Sequence, residues 1–415
     1  MKARAGRRHR LGGIVRVATV LVLSGALVAT FSTLAGADAK AFASNGSSKT
    51  IRVGTWGPET GEFSVVGQIN EGMIAYMKNV NKHHLLGKYS VDVTFGNDQY
   101  NPSLTPGVVR SLVQKNKVAM VCAGVGTPNN TVVKAYLISS GIPNIAPGAG
   151  TPAIFRPVNK VEFGVNRPYQ PEAAAMARYA MNTLHQTKIA IAYTKTTVGE
   201  PGLKGAEWEL AKKGIKPVAT VGFAVTTTDF ASEAAALKAS GATFVIAWAV
   251  SPPFPDLVNA AHQIGYDPQW GTPFFNMTEP GTQSATNGAL TGHSYYVGWT
   301  PALTDHPVVA AAKSQYPKAV SNGSVTALFL QGYMAGYVCS KVLKKAIGMK
   351  GGPTTTNILK AANHLKLGKS SPFDKDLRWT PQDHLANIPE RIYEALNHGF
   401  KPVTPFRLDP PAPLG

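Results

Sequence analysis

Apolar and polar positions along the chain switch repeatedly between the period of a strand and that of a helix. Residues 51–56 form an apolar-rich run that reads as a strand and closes on the turn Gly57-Pro58-Glu59-Thr60-Gly61. From about Ser64 the spacing lengthens, and Ile69, Met73, Ile74 and Met77 fall along one helix face. Residues 89–95 alternate, with Val91, Val93 and Phe95 on one side. Thr105-Pro106 opens another helix that turns Val108, Val109, Leu112 and Val113 inward. The run 118–123, VAMVCA, has the length and composition of a strand buried on both faces. After Gly124-Val125-Gly126, Thr127 reads as an N-cap with Pro128 at the first helical position, where its missing N–H costs nothing. That helix runs to about Ser140 and stops at Gly141, a residue suited to a left-handed cap. A short strand over 143–146 completes a β-α-β-α-β-α-β succession, which predicts a parallel sheet covered by helices.

Residues 155–168 break the rhythm with Pro157, Gly164 and Pro168, and then the pattern restarts. Pro171 starts an Ala-rich helix to about Leu184, followed by a strand over 188–193. A helix from about Pro201 to Gly214 and a strand over 217–223 come next, and Asp229 caps a helix over 230–239. TFVIAWAV at 243–250 is a second buried strand, with a helix to Gly265 and a strand over 273–277 behind it. A strand at 294–299 leads to a long helix over 324–347, apolar on both faces and therefore buried. A further helix covers 354–365, and 366–408 holds short strands and turns before a Pro-rich tail. The same alternation occurs twice. It predicts an α/β protein of two doubly wound parallel-sheet lobes joined by a hinge around Gly164, rather than one large sheet.

Two places stand out chemically. The turns 124–127 and 148–151 follow neighbouring strands, so both present open backbone at one edge of the first sheet, and one aims a helix N-terminus outward. In open α/β sheets, ligands bind in the crevice beyond such carboxyl ends. Read as local structure alone, Thr127-Pro128 is the helix start that every βα unit needs.

Composition adjusts this picture in four ways. At 415 residues the chain suits two lobes of ordinary size. The formal charge of +18 is a nucleic-acid signal only if it clusters, and it does not. Lys2, Arg4, Arg7, Arg8, Arg10 and Arg16 precede Ala37 with no acid among them, setting them aside leaves +12, and the remainder is scattered. No nucleic-acid partner is expected. The same basic residues precede the apolar segment 17–34, and small-residue sites follow at Ala35-Gly36-Ala37 and Ala41-Phe42-Ala43, so residues 1–43 read as an export signal and 44–50 as a polar linker. Left uncleaved, the segment is just long enough to anchor the chain. No cysteine lies near the cleavage region, which excludes a lipid-anchored mature N-terminus through that residue. Export permits a bridge between the two cysteines, Cys122 in a buried strand and Cys339 in a buried helix, but buried Cys is commonly a small hydrophobe, and the reading favours two unpaired thiols.

Enzyme signatures are missing from the sequence. There is no G-x-S-x-G elbow, no H-E-x-x-H, no Walker loop, and no G-x-G-x-x-G after a strand. Gly124-Val125-Gly126 lacks both a third glycine and an acidic partner. His83-His84 sits at a helix end among polar residues, and the histidines are otherwise dispersed, so no metal and no cofactor is expected.

The order of these elements resembles the solute-binding proteins of branched-chain amino acid ABC transporters, with the leucine-binding-protein-like type I periplasmic-binding fold. The likeness spans about residues 51–403, carried by Ile51-Arg52-Val53-Gly54 with Gly57, Gly61 and Gly67, and by the 124–127 turn. Gly141-Ile142-Pro143 before Pro147-Gly148-Ala149-Gly150-Thr151, Ala192-Tyr193 with Gly199, Asp229-Phe230 and residues 237–242 (LKASGA) also carry it. The resemblance implies a hinged clamp: lobe 1 from 51–165 plus 297–367, lobe 2 from 166–296 plus 368–406, and a tail at 407–415. It implies a monomer that captures a small amino-acid-like, carboxylate or amide solute and delivers it to a membrane permease in the periplasm or cell envelope, with no catalytic activity. The same fold also serves ligand-sensing receptors and regulators, and that alternative stays open.

Carried over by position, first-lobe contacts to a solute carboxylate fall at Thr127, Ala149, Gly150 and Thr151, and an acid pairing with an amino group falls at Glu279. Where amino-acid binders of the family often present tyrosines to the cleft, this chain has Val66, Val198 and Val250. These imply a wider, drier pocket aimed at something other than leucine. Trp56 and Trp248, near strand ends, are candidate stacking faces or else core.

Overall fold

The computed structural model describes residues 50–407 apart from 278–285, 287, 302–305, 322–323, 370, 374–375, 387 and 397–398. The export signal, all of the linker but Thr50, nearly all of the tail, and Glu279 therefore lie outside the described residues. The strands are β1 (Thr50–Gly57), β2 (Ser90–Asn97), β3 (Met120–Cys122), β4 (Asn144–Ile145), β5 (Glu162–Phe163), β6 (Ile189–Thr194), β7 (Thr220–Phe223), β8 (Phe244–Trp248), β9 (Gln269–Pro273), β10 (Ser294–Gly298), the small hairpin β11 (Val320–Ser321) and β12 (Ser324–Val325), β13 (Arg391–Leu396) and β14 (Gly399–Pro402). The helices are α1 (Gln68–Lys82), α2 (Thr105–Arg110), α3 (Thr127–Ser140), α4 (Pro152–Phe155), α5 (Tyr169–Asn182), α6 (Gly199–Ala211), α7 (Ala231–Ala239), α8 (Pro253–Gln263), α9 (Pro307–Gln315), α10 (Ala327–Ile347) and α11 (Thr355–Ala362).

Two sheets result. The first has order β2-β1-β3-β4-β5 and is parallel throughout. The second has order β14-β13-β10-β9-β8-β6-β7, parallel except for the antiparallel pair β13 and β14 at one edge. Each sheet is covered on both faces, as strand periodicity demands. Along β3, Met120 and Cys122 enter one apolar cluster while Val121 enters the opposite one with Trp56 and Leu137. Along β8, Phe244, Ile246 and Trp248 face one cluster and Val245 and Ala247 the other. This is the two-lobed α/β architecture expected from the twice-repeated alternation.

One face of the first sheet is closed by α1 and α10, whose backbones touch. A Cβ on Gly332 would lie 1.7 Å from Ile69 O, and one on Gly72 2.0 Å from Phe329 O, so only glycine permits this approach. The predicted long helix is present but starts at Ala327, because the Thr326 hydroxyl caps it by accepting from Phe329 N at 3.1 Å and Ser324–Val325 pairs in the hairpin instead.

The expectation of two free thiols is wrong. Cys122 and Cys339 form a disulfide, with Cα atoms 6.5 Å apart. Their burial was read correctly, but α10 lies directly over β3, so the two buried side chains meet. Thr127 is not an N-cap either. Gly126, at φ 102°, takes the cap position and Thr127 begins the helix, because its hydroxyl is engaged elsewhere. The strand expected at 273–277 is β9, four residues earlier, and Phe274–Asn276 form a single tight turn of helix. Gly271, where a Cβ would collide with Met176 at 2.7 Å, interrupts the apolar run that pattern reading relies on.

Candidate solute-binding cleft

A cleft of about 450 Å³, counted to its open mouth, lies where the carboxyl ends of the two sheets face each other. Each strand of the first sheet feeds it from the turn that follows: Val66 after β1, Tyr100 after β2, Val125 and Gly126 after β3, Gly148 after β4, Asn166 and Arg167 after β5. From the second sheet come Val250 after β8 and Phe274 and Phe275 after β9, with Tyr169 from the start of α5. Ile69 of α1 and Leu328 and Gln331 of α10 complete the wall. This is the crevice position that open α/β sheets favour.

The sequence-derived candidates separate in space. Val66 and Val250 line the cleft with small apolar side chains, one after a strand of each sheet. Val198 does not line it. It sits at the start of α6, buried in a cluster with Trp248 and Tyr169. Ala149 packs with Ile154, Phe155 and Leu385 in a separate small cluster, and Thr151 is buried just ahead of α4. Gly150 lies under the Tyr169 ring, where a Cβ would come within 2.3 Å. Trp56 and Trp248 are fully buried core residues, and neither reaches the cleft.

The backbone expected to offer free N–H groups spends them internally. Gly148 N–H donates to Gly124 O at 2.9 Å, Ala149 N–H to Pro147 O at 2.9 Å, and Gly150 N–H to Thr127 Oγ1 at 3.4 Å. Asn130 holds the first turn from below, donating through Nδ2 to both Gly124 O and Gly126 O at 2.8 Å. The Thr127 hydroxyl lies 2.9 Å from the Tyr169 hydroxyl, and Tyr169 N–H donates to Gly150 O at 3.0 Å. Tyr169 thus bridges the two lobes at the place where a solute carboxylate was expected. Burial, with the nearby Glu172 charge adding to it, pushes the Tyr169 phenol well above its ordinary range, so it stays a neutral hydroxyl.

Sequence reasoning missed the residues that define the cleft's polarity. Arg167, only 4 % exposed, pairs with Glu390 at 3.2 Å. Glu172 is fully buried beside them. Burial first, and then Glu390's charge, push its carboxyl well above the usual range, with Arg167 offsetting this only in part. Asn166 Oδ1 is buried with no hydrogen-bond partner among the described residues. A signal was present: Asn166-Arg167-Pro168 follows a strand and precedes a helix, the same grammar as Gly126-Thr127-Pro128, but the segment read as irregular.

The chain matches the family model described as periplasmic binding protein over residues 50–399, and it belongs to that family. It is therefore a solute-binding protein of the ABC-transporter type. An amino acid binding protein of Pseudomonas aeruginosa is 22% identical over 216 residues, 52% of this chain and 58% of the relative, so the match spans little more than half of that protein's length. Among solved structures, a branched-chain amino acid ABC transporter protein from Thermus thermophilus with bound valine superposes with TM-score 0.78 at 18% identity, covering 87% of this chain and 97% of that one. A solute-binding protein from R. palustris in complex with 4-hydroxybenzoate gives 0.76 at 20% identity, with 87% and 98% covered. A fatty acid ABC transporter substrate-binding protein from Thermomonospora curvata gives 0.74 at 17%, with 87% and 92% covered. At these identities the likeness establishes the fold.

Proposed function

We propose that this protein captures one small amino-acid-like, carboxylate or amide solute between its lobes outside the cytoplasm and delivers it to a membrane permease, without chemical change. The observation that carries the reading is the convergence on one cleft of the turns after β1 to β5, β8 and β9, with Tyr169 and Arg167 arriving from the segment that joins the lobes. The relatives' solutes (valine, 4-hydroxybenzoate and fatty acids) share a small polar head on an apolar body, which suits walls of Val66, Ile69, Val125, Val250, Phe275 and Leu328. Among the described residues no helix is long and apolar enough to cross a membrane, and no group of His, Cys, Asp or Glu is arranged to hold a metal.

Lobe 1 then comprises 51–165 plus 297–367 and lobe 2 166–296 plus 368–406. Solute closes them as a clamp, the chain acting as a monomer exported by residues 1–43. The cleft contacts in this reading include Val66 and Val250. Thermal-shift screening against amino acids, aliphatic and aromatic acids and their amides identifies the binders. Small-angle scattering then shows compaction when a binder is added. An unchanged radius of gyration with a proven tight binder rejects the clamp.

A further inference from the structure

The polar groups that line the cleft are of an unusual kind. Asn166, 5 % exposed, keeps Oδ1 buried without a hydrogen-bond partner among the described residues. The Gln331 side chain, 3 % exposed on α10, forms no protein hydrogen bond among the described residues, and neither does the Tyr100 hydroxyl. All three are uncharged, and together they offer an acceptor, an amide and a hydroxyl to one space. A buried acceptor left unmade is costly, so Asn166 Oδ1 calls for an N–H or O–H from whatever occupies the cleft.

Charge decides what kind of donor. Arg167 lines the cleft, but Glu390 lies 3.2 Å from its guanidinium and Glu172 is buried alongside. With Glu390 ionised as the partner of Arg167, these three groups sum to zero when Glu172 is protonated and to minus one when it is ionised. An incoming carboxylate would shed its water for a site with no surplus cation, which is unfavourable in a low-dielectric cleft. The anion site expected at Gly148, Ala149 and Gly150 has its N–H groups already committed, and Thr127 is held by Tyr169. No carboxylate is among the described lining residues to receive an ammonium group.

We propose that the cleft takes an uncharged solute carrying a primary carboxamide on a small apolar body, with the amide N–H donating to Asn166 Oδ1, the carbonyl accepting from Gln331, and the body lying among Val66, Ile69, Val250 and Phe275. This rests on the reading of the cleft as the solute site and narrows it to a class.

The test uses the intact protein and two matched series in calorimetry: isovaleramide, isovalerate and leucine; benzamide and benzoate. Within each series the amide binds at least tenfold tighter than the acid, and leucine is weaker than isovaleramide. Asn166→Leu weakens the amide about tenfold and leaves the weak binding of the acid unchanged. Gln331→Leu does the same from the other lobe, so the result does not hang on the folding of one variant. An acid or leucine that binds more tightly than its amide, or no amide binding at millimolar concentration, overturns the proposal. In the first case solute binding that Val250→Trp abolishes leaves the clamp standing. If amides bind but all three variants bind them as the parent does, the cleft itself is not the site and both readings fall.

Discussion

Replacing Tyr169 by Phe asks whether the bond across the lobes is a latch or a stand-in for solute. The hydroxyl lies 2.9 Å from Thr127 Oγ1 with both residues more than nine-tenths buried, so its removal costs the net value of one neutral hydrogen bond, roughly 0.5–1.5 kcal/mol. Thr127 Oγ1 keeps the Gly150 N–H at 3.4 Å, which limits the penalty for the partner left behind. The ring is retained, so its edge contacts with Trp248 and Phe275 and its cover over Gly150 persist. The loss falls on the arrangement in which the lobes meet. In the proposed clamp, which closes to bind, it appears as an affinity about 2- to 12-fold weaker. Because a protein–protein bond is lost, the factor is the same for an amide, an acid and an amino acid. Calorimetry of Tyr169→Phe with the matched series measures this, and scattering of the solute-free variant shows a larger radius of gyration. If Tyr169→Phe binds carboxylates more tightly than the parent, the freed Thr127 is their anchor. The hydroxyl then merely occupies a solute's place, and the latch argument is refuted.

Two further outcomes concern stability. The Cys122–Cys339 bridge spans 217 residues, and removing so long a cross-link costs about 2–5 kcal/mol, so the double variant Cys122→Ala/Cys339→Ala unfolds at a lower urea midpoint; alkylation of the parent under denaturing, non-reducing conditions adds no mass, and two added labels would disprove the bridge. Glu162 is buried in β5 with its carboxyl raised from 4.5 to about 8, chiefly by burial, while Asn144 Nδ2 donates to Oε2 at 2.8 Å. The folded chain therefore keeps a proton that the unfolded chain releases, and stability falls as pH rises from 4.5 to 8 by up to ~1.4 kcal/mol per unit. Glu162→Gln removes that slope, so the variant gains on the parent in urea unfolding between pH 5 and pH 8, and parallel profiles would show that Glu162 is already ionised.

The period of the apolar pattern carried most of the fold, because both lobes bury their sheets on two faces and each strand reads as a short apolar run between turn residues. It failed where a local rule was overruled by a distant partner. Gly271 looks like a break in a strand, yet it is an interior position kept bare for Met176. Thr127 has every local mark of a cap, and its hydroxyl is drawn away by Tyr169, 42 positions further on. Burial of Cys122 and Cys339 was legible, but their meeting depends on how α10 is laid over β3, which no periodicity encodes.

The same physics explains why, of the three valines carried over together, Val198 parts from Val66 and Val250. Val250 follows β8 directly and, although it is buried in the same apolar cluster as Val198, it also lines the cleft. Val198 precedes α6, and α6 is pulled onto the sheet by Gly202, where a Cβ would stand 2.0 Å from Trp248 Cγ, and by Gly199, where one would stand 2.0 Å from Thr194 O. That close docking seals Val198 into the core beside Trp248 and withdraws it from the solute. An enlarged side chain at 198 then strains the packing of lobe 2 before it can touch a ligand, whereas one at 250 enters the cleft. In the proposed reading, selectivity between solutes rests on Val66 and Val250 for the apolar body, and on Asn166 and Gln331 for the head group, with Tyr169 setting how firmly the lobes meet.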